Sequence, residues 1–151
     1  MTQHKTTTHD DNSFCYSGER FADIQMLRYR LNGFDELPLQ KKKYIDYLSE
    51  ATLAGRDITT DQFGFYNLRI RKTLEAIYQH YDGDRADAEF QAMETYLKQV
   101  WFSNGIYHHY GCGKFTPGFT ERFFRQALSS ISPSLLPLAD GETAESLLDI
   151  L

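Results

Sequence analysis

The sequence predicts a mostly α-helical protein, built from several packed amphipathic helices and one long irregular loop. Apolar residues recur at helical spacing in four segments, residues 38–54, 65–81, 84–102 and 120–128. A stretch dense in glycine and aromatic residues, residues 104–117, separates the last two segments and has no regular period. The length of 151 residues fits one domain, or one piece of a larger domain, and allows a sizeable core.

The first predicted helix, residues 38–54, begins with a proline, which suits a first helical turn. Tyr44, Leu48 and Ala51 form its apolar stripe, and Gly55 follows as a predicted C-terminal stop. Because an amphipathic helix buries its apolar face, we expect this stripe to pack against a neighbouring element.

The second and third predicted helices carry longer stripes and are separated by the helix-breaking sequence Asp-Gly-Asp at residues 82–84. The stripes are Tyr66, Ile70, Leu74, Ile77 and Tyr81 in the second helix, and Ala86, Phe90, Met93, Leu97 and Val100 in the third. Ser-Asn-Gly at residues 103–105 is predicted to close the third helix. Both helices are therefore expected to contribute to the core.

The fourth predicted helix, residues 120–128, has Thr120 as its N-cap, with Phe119 and Phe124 in the positions of a hydrophobic staple. A further helix is predicted within residues 141–151, and its apolar side is still unfinished at the last residue. From this pattern we expect the chain to be truncated at its C-terminal end.

The N-terminal part of the sequence is less regular. Residues 1–13 are polar and threonine-rich, which predicts a disordered lead-in to a helical segment over residues 14–151. Residues 21–31 fit a strand or a helix, and we expect one short strand or extended segment there. Asn-Gly at residues 32 and 33 predicts the turn that ends it.

Composition argues against several classes of partner. The 21 acidic residues outnumber the 16 lysines and arginines, which disfavours general attraction to nucleic acid or anionic lipid. No apolar run reaches membrane-spanning length, and the N-terminus lacks the apolar part of a signal peptide. Cys15 and Cys112 are expected to be free thiols rather than a disulfide framework. We therefore expect a cytoplasmic protein, with export left open if a signal sequence was removed.

The glycine–aromatic loop, residues 104–117, holds the candidate functional residues. His108, His109 and Cys112 are capable metal ligands, but a structural zinc site needs four and no partner pair is present, so we expect no metal here. Gly113-Lys114 resembles the end of a phosphate loop, yet the first glycine and the final hydroxyl residue of that motif are missing. No motif for nucleophilic catalysis occurs, so the residues alone name no reaction and no catalytic residue.

The loop nevertheless resembles a segment of a known family. Its pattern is Gly105-x-Tyr107-x-x-Tyr110-Gly111-x-x-Lys114-Phe115-x-Pro117. It resembles the G-N-Y-x-x-F-G-x-x-K-F-x-P segment in the N-terminal part of dipeptidyl-peptidase III, and is most similar to the bacterial members. The preceding helices, with "YLS" at residues 47–49 and "EFQAMETYLKQVWFSNGIY" at residues 89–107, are similar in order and spacing, so the resemblance covers residues 21–128.

The resemblance implies the N-terminal segment of a larger, two-lobed α+β enzyme, a zinc-dependent exopeptidase that removes dipeptides from peptide N-termini. In that family two histidines of an H-E-x-x-G-H motif and a glutamate of a second motif hold the zinc, the glutamate within H-E-x-x-G-H activates the bound water, and both motifs lie far downstream. The H-E-x-x-G-H motif is absent from these 151 residues, so we expect neither zinc binding nor activity from this segment alone. Its expected partners are peptide substrates and the remaining part of the same chain.

Within the segment the resemblance suggests scaffold, with the loop as part of a cleft wall. Asn104, Gly105, Tyr107 and Tyr110 are the candidate substrate-contacting residues, because glycines permit close backbone approach and aromatic rings give broad contact. Ile106 and the histidine pair that follows Tyr107 depart from the family pattern, so no role of the family's side chains there carries over.

Simple packing is the favoured interpretation of the loop aromatics, so we expect Tyr107, Tyr110 and Phe115 to lie against the helices. Two other functions stay open. One is a stand-alone helical module that binds a partner peptide through the loop. The other is a small metal- or redox-binding protein that uses the loop's histidines and cysteine.

Overall fold

The computed structural model describes residues 14–149, which divide into two compact units, residues 14–37 and residues 38–149. The predicted disordered lead-in at residues 1–13 lies outside the described residues. Residues 150 and 151, on which the predicted truncation depends, lie outside them as well.

The first unit contains a β-hairpin. Strand β1, Ser17–Phe21, pairs antiparallel with strand β2, Ile24–Leu27, and Arg20 lies opposite Gln25. Ala22 adopts a left-handed φ of 48° in the two-residue turn between them. The single predicted strand therefore corresponds to β2, and the sequence analysis missed β1, because its polar sequence Ser-Gly-Glu-Arg has no alternating pattern.

The second unit begins with helix α1, Leu39–Ala54, close to the predicted bounds. Gly55 ends α1, but with a right-handed φ of −84°, and helix α2, Arg56–Gln62, starts immediately after it. The predicted end of the first helix at Gly55 is therefore confirmed, whereas α2 was not predicted.

Helix α1 buries none of its residues, which contradicts the expected packing of its apolar stripe. Tyr44 is 65% exposed and Leu48 is 49% exposed. The large apolar residues exposed along α1 are Leu39, Tyr44, Ile45, Tyr47, Leu48 and Leu53. Periodicity correctly located the helix, but residues 38–149 supply no element that covers this face.

The core of the second unit lies among helices α3, Asn67–His80, α4, Ala88–Ser103, α5, Glu121–Ser129, and α6, Ala144–Leu148. The most fully buried apolar side chains are Leu74, Ile77, Phe90, Met93, Leu97, Val100, Leu128 and Leu147. Most of these belong to the stripes predicted for the second and third helices, which are confirmed, although Tyr66 and Ala86 are exposed. A single 3₁₀ turn, Pro133–Leu135, lies between α5 and α6.

Local capping explains where α4 and α5 begin. The Asp87 side chain accepts a hydrogen bond from the N–H of Glu89 at 2.8 Å, and Thr120 accepts one from Phe123 at 3.2 Å. The ring centroids of Phe119 and Phe124 lie 5.7 Å apart, which confirms the predicted staple.

Helix α2 is held by polar contacts rather than by an apolar stripe. Arg71 of α3 is 3% exposed, donates to Thr60 Oγ1 at 2.7 Å and pairs with Asp57. Its Nε lies 3.3 Å from Glu75 Oε1, which also accepts a hydrogen bond from Trp101 at 2.8 Å. These contacts connect α2 and α4 to the buried guanidinium of Arg71. Charge-assisted hydrogen bonds of this kind are stronger than hydrogen bonds between neutral groups.

The described residues thus form a mostly α fold, with one small two-stranded sheet. This confirms the predicted fold class at that level. Among the described residues, none of the helices has both the length and the apolar character needed to cross a bilayer.

Candidate functional site

The loop begins where α4 ends, at a backbone turn set by Asn104. Asn104 adopts a left-handed φ of 55°, and the N–H of Gly105 donates to the carbonyl of Val100 at 3.0 Å. Asparagine tolerates this conformation better than most residues, so the Ser-Asn-Gly sequence closes the helix as predicted.

Asn67, the first residue of α3, fixes the path of the loop. Its side chain is buried, and its Oδ1 accepts a hydrogen bond from the N–H of Ile106 at 3.2 Å. A Cβ at Gly105 would lie 2.4 Å from Asn67 Nδ2, so only glycine fits there without rearrangement. The sequence analysis missed Asn67, since a polar residue at the start of a helix is more typical of a solvated cap.

The loop itself folds back as a short hairpin. Tyr107 and Lys114 form an antiparallel bridge, and the N–H of Phe115 donates to Ile106 O at 2.8 Å. The N–H of His108 donates to the carbonyl of Gly113, also at 2.8 Å. These bonds make residues 106–115 a defined element, which periodicity could not show because the strands are only about two residues long.

The aromatic residues of the loop divide into two groups. Tyr107 and Phe115 are half-buried and pack against the core of the second unit, as expected. Tyr110 is 89% exposed, so the expectation that it packs on the helices was wrong. It occupies the turn of the hairpin, and its ring centroid lies 4.3 Å from that of His109.

Replacing Tyr110 with alanine is therefore expected to leave the melting temperature nearly unchanged, whereas Tyr107→Ala should lower it by several degrees. The reason is that only the half-buried Tyr107 loses packed apolar area, worth about 1 kcal/mol or more. Thermal unfolding followed by circular dichroism measures both. A drop for Tyr110→Ala as large as that for Tyr107→Ala would contradict the exposed position of Tyr110.

A cavity of about 360 Å³ opens beneath the loop. Its apolar walls include Ile70 and Leu74 from α3, Ile106 from the loop, Phe124 from α5 and Leu148 from α6. Most small-molecule sites are concave, mainly apolar and at least about 300 Å³ in volume, so this cavity has the dimensions of a ligand site.

Polar groups of the cavity are few. Tyr96 of α4 lines it and is 6% exposed, and burial raises the pKa of its phenol to about 12. Lys114 contributes an exposed ammonium, and Arg125 pairs with Glu121 at 2.7 Å. The cavity therefore has a neutral phenol at its buried side and the ammonium of Lys114 at its exposed side.

A second, smaller cavity of about 270 Å³ lies at the root of the loop. Asn104 lines it together with Arg56, Thr60, Arg71 and Trp101. Of the predicted substrate-contacting residues, Asn104 thus borders this cavity and Tyr110 lies at the exposed turn. The structure places the candidates along the whole loop rather than in a single pocket.

The possible metal ligands of the loop do not assemble into a site. The rings of His108 and His109 stack with centroids 4.4 Å apart, and Cys112 is an exposed free thiol, as Cys15 is. Within residues 14–149 no three histidine, cysteine or acidic side chains lie close enough to hold an ion together. The described residues therefore do not fit the zinc that the family resemblance implies, and no hydrolytic step is assigned to them.

No protein-family model matches the chain, and no curated protein is significantly similar to it.

Proposed function

We propose that this chain is the N-terminal portion of a zinc-dependent dipeptidyl peptidase of the dipeptidyl-peptidase III type. In this proposal it supplies scaffold, and the hairpin at residues 106–115 supplies part of the wall of a peptide-binding cleft. We also propose that the complete enzyme has two lobes, binds zinc and acts on peptide substrates. The zinc ligands would come from sequence beyond these residues.

The observation that carries the proposal is the ordered pattern of glycine, aromatic and lysine residues from Gly105 to Pro117. Several of these residues have separate structural tasks: Gly105 leaves room for Asn67, and Tyr107 pairs with Lys114. These contacts make Gly105, Tyr107 and Lys114 parts of one defined element, and the order of these residues in the sequence supports the proposal. Tyr110, which belongs to the same pattern, is exposed and free to meet a substrate or a second lobe.

The decisive experiment determines the gene sequence beyond the codon for Leu151 and then assays the encoded protein for peptidase activity. The open reading frame is expected to continue past Leu151 and to encode an H-E-x-x-G-H sequence. The full-length protein is expected to release dipeptides from a dipeptidyl arylamide and to lose that activity in a chelator. The purified 151-residue chain should show none with added zinc, because it contains no such motif.

A matched control uses full-length protein in which the glutamate of the downstream motif is replaced by glutamine, which keeps the fold but removes the base. A stop codon directly after Leu151 would contradict the proposal. Zinc-dependent hydrolysis by the 151-residue chain, persisting through removal of contaminating peptidases, would contradict it as well.

The exposed face of α1 favours a second candidate, a helical module that binds another protein. Tyr47 and Leu53 are 71% and 60% exposed, and contiguous exposed apolar surface of this kind is typical of interaction sites. The same reading-frame experiment separates the two candidates, since a short gene supports the module and a long gene supports the peptidase.

A further inference from the structure

The cavity beneath the loop has a chemistry that neither candidate function uses. It lies within one unit of the structure, between α3, α4, α5, α6 and the hairpin, and all its lining residues are described. Leu74 is 1% exposed at its inner side, whereas Lys114 is exposed at its outer side. A bound ligand would therefore contact apolar walls along most of its length and a positive charge at one end.

We infer that this cavity binds an apolar monocarboxylate, with the alkyl chain between α3 and α5 and the carboxylate at Lys114. The apolar walls supply the larger share of the binding free energy, through the area that they remove from water. The ammonium of Lys114 supplies the orientation. The inference goes beyond the proposed function and does not depend on it.

Lys114 is the charged group of the cavity lining that can pair with an anion. Glu121 is already paired with Arg125, and Lys114 forms neither a hydrogen bond through its side chain nor an ion pair with any of residues 14–149. Glu145 and Asp149 also act on Arg125, which leaves Lys114 as the cation available to a ligand.

Tyr96 argues against a strongly polar ligand inside the cavity. Its side chain is 6% exposed, so the inner part of the cavity is poorly solvated, in agreement with the raised pKa of the phenol that burial causes. A phosphate or a sugar placed there would lose its hydration and find one phenol as its main polar partner, which is costly. An alkyl chain has no such hydration to lose when it enters the cavity.

The inference is tested by calorimetric titration of the 151-residue chain with three probes that share one alkyl chain and differ in charge. The probes are decanoate, decanol and decyltrimethylammonium, each kept below its micelle concentration. We expect saturable one-to-one binding of decanoate, weaker binding of decanol, and the weakest binding of the cation. Equal binding of decanoate and the cation, or no saturable binding of decanoate, would overturn the inference.

Two sets of variants locate the binding. Lys114→Gln should weaken decanoate binding about two- to fivefold, as expected for one exposed ion pair, and leave decanol binding unchanged. Lys43→Gln, which removes an exposed charge on α1, is the matched control and should change neither. An unchanged affinity of Lys114→Gln for decanoate would overturn the assignment of the carboxylate.

The cavity itself is tested by filling it. Ile70→Phe and Leu148→Phe should each reduce the binding of decanoate and decanol together, because both residues line the cavity and are half-buried. Leu48→Phe on the exposed face of α1 is the control. Melting temperatures show which variants are folded, and a folded filling variant with unchanged affinity would place the ligand elsewhere and overturn the inference.

Discussion

Replacing Leu97 with alanine is expected to lower the free energy of unfolding by about 2–5 kcal/mol. Leu97 is fully buried in the core formed by α3 and its neighbours, so truncation removes packed methyl groups and leaves a cavity. Leu48→Ala removes the same atoms from α1, where the side chain is 49% exposed, and is expected to cost less than about 1 kcal/mol. Urea unfolding measures both differences.

This pair also tests what covers α1. If the chain is part of a larger protein, Leu48→Ala should be nearly neutral in the 151-residue chain and clearly destabilising in the full-length protein. A cost for Leu48→Ala in the short chain that approaches the cost for Leu97→Ala would contradict the exposed position of α1.

Gly105→Ala is expected to lower the free energy of unfolding by about 1–3 kcal/mol, the usual cost of overpacking. The added Cβ would lie 2.4 Å from Asn67 Nδ2, inside the contact distance of any two heavy atoms. Gly111→Ala is the matched control, since a Cβ there meets nothing within 4 Å and Gly111 does not have a positive φ. We expect Gly111→Ala to change stability by less than about 1 kcal/mol.

A double-mutant cycle identifies Asn67 as the cause. Asn67→Ala alone should cost about 1–3 kcal/mol, because it leaves the N–H of Ile106 without its acceptor. Combined with Gly105→Ala, it should cost less than the sum of the two, since the shortened side chain removes the clash. Strictly additive effects would contradict the proposed contact. Both variants should also loosen the hairpin, which amide exchange at Phe115 reports.

Several features of the fold could be predicted because their causes are local in the sequence. A polar N-cap at Thr120, the staple beside it and the left-handed closure at Asn104 depend on side chains within a few residues of each other. The stripes of α3 and α4 repeat over three or more turns, which is enough to define a buried face.

Other features depend on groups that are distant in sequence and could not be predicted. Helix α2 has no apolar period and is stabilised by Arg71, which lies 11 residues from its partner Thr60. The position of the loop depends on a hydrogen bond between Asn67 and Ile106, which are 39 residues apart. No pattern within either segment indicates such a pair.

The sequence by itself thus determined the helical class, the bounds of the main helices to within about four residues and the presence of one unusual loop, because capping and periodicity act over a few neighbouring residues. Only the tertiary structure decided which apolar faces are covered: the stripe of α4 is buried, and the comparable stripe of α1 is exposed. It also decided that Tyr110 is exposed while Tyr107 packs, and that a cavity lies beneath the hairpin. The physical reason is that burial belongs to pairs of surfaces, and a sequence pattern describes only one surface of each pair.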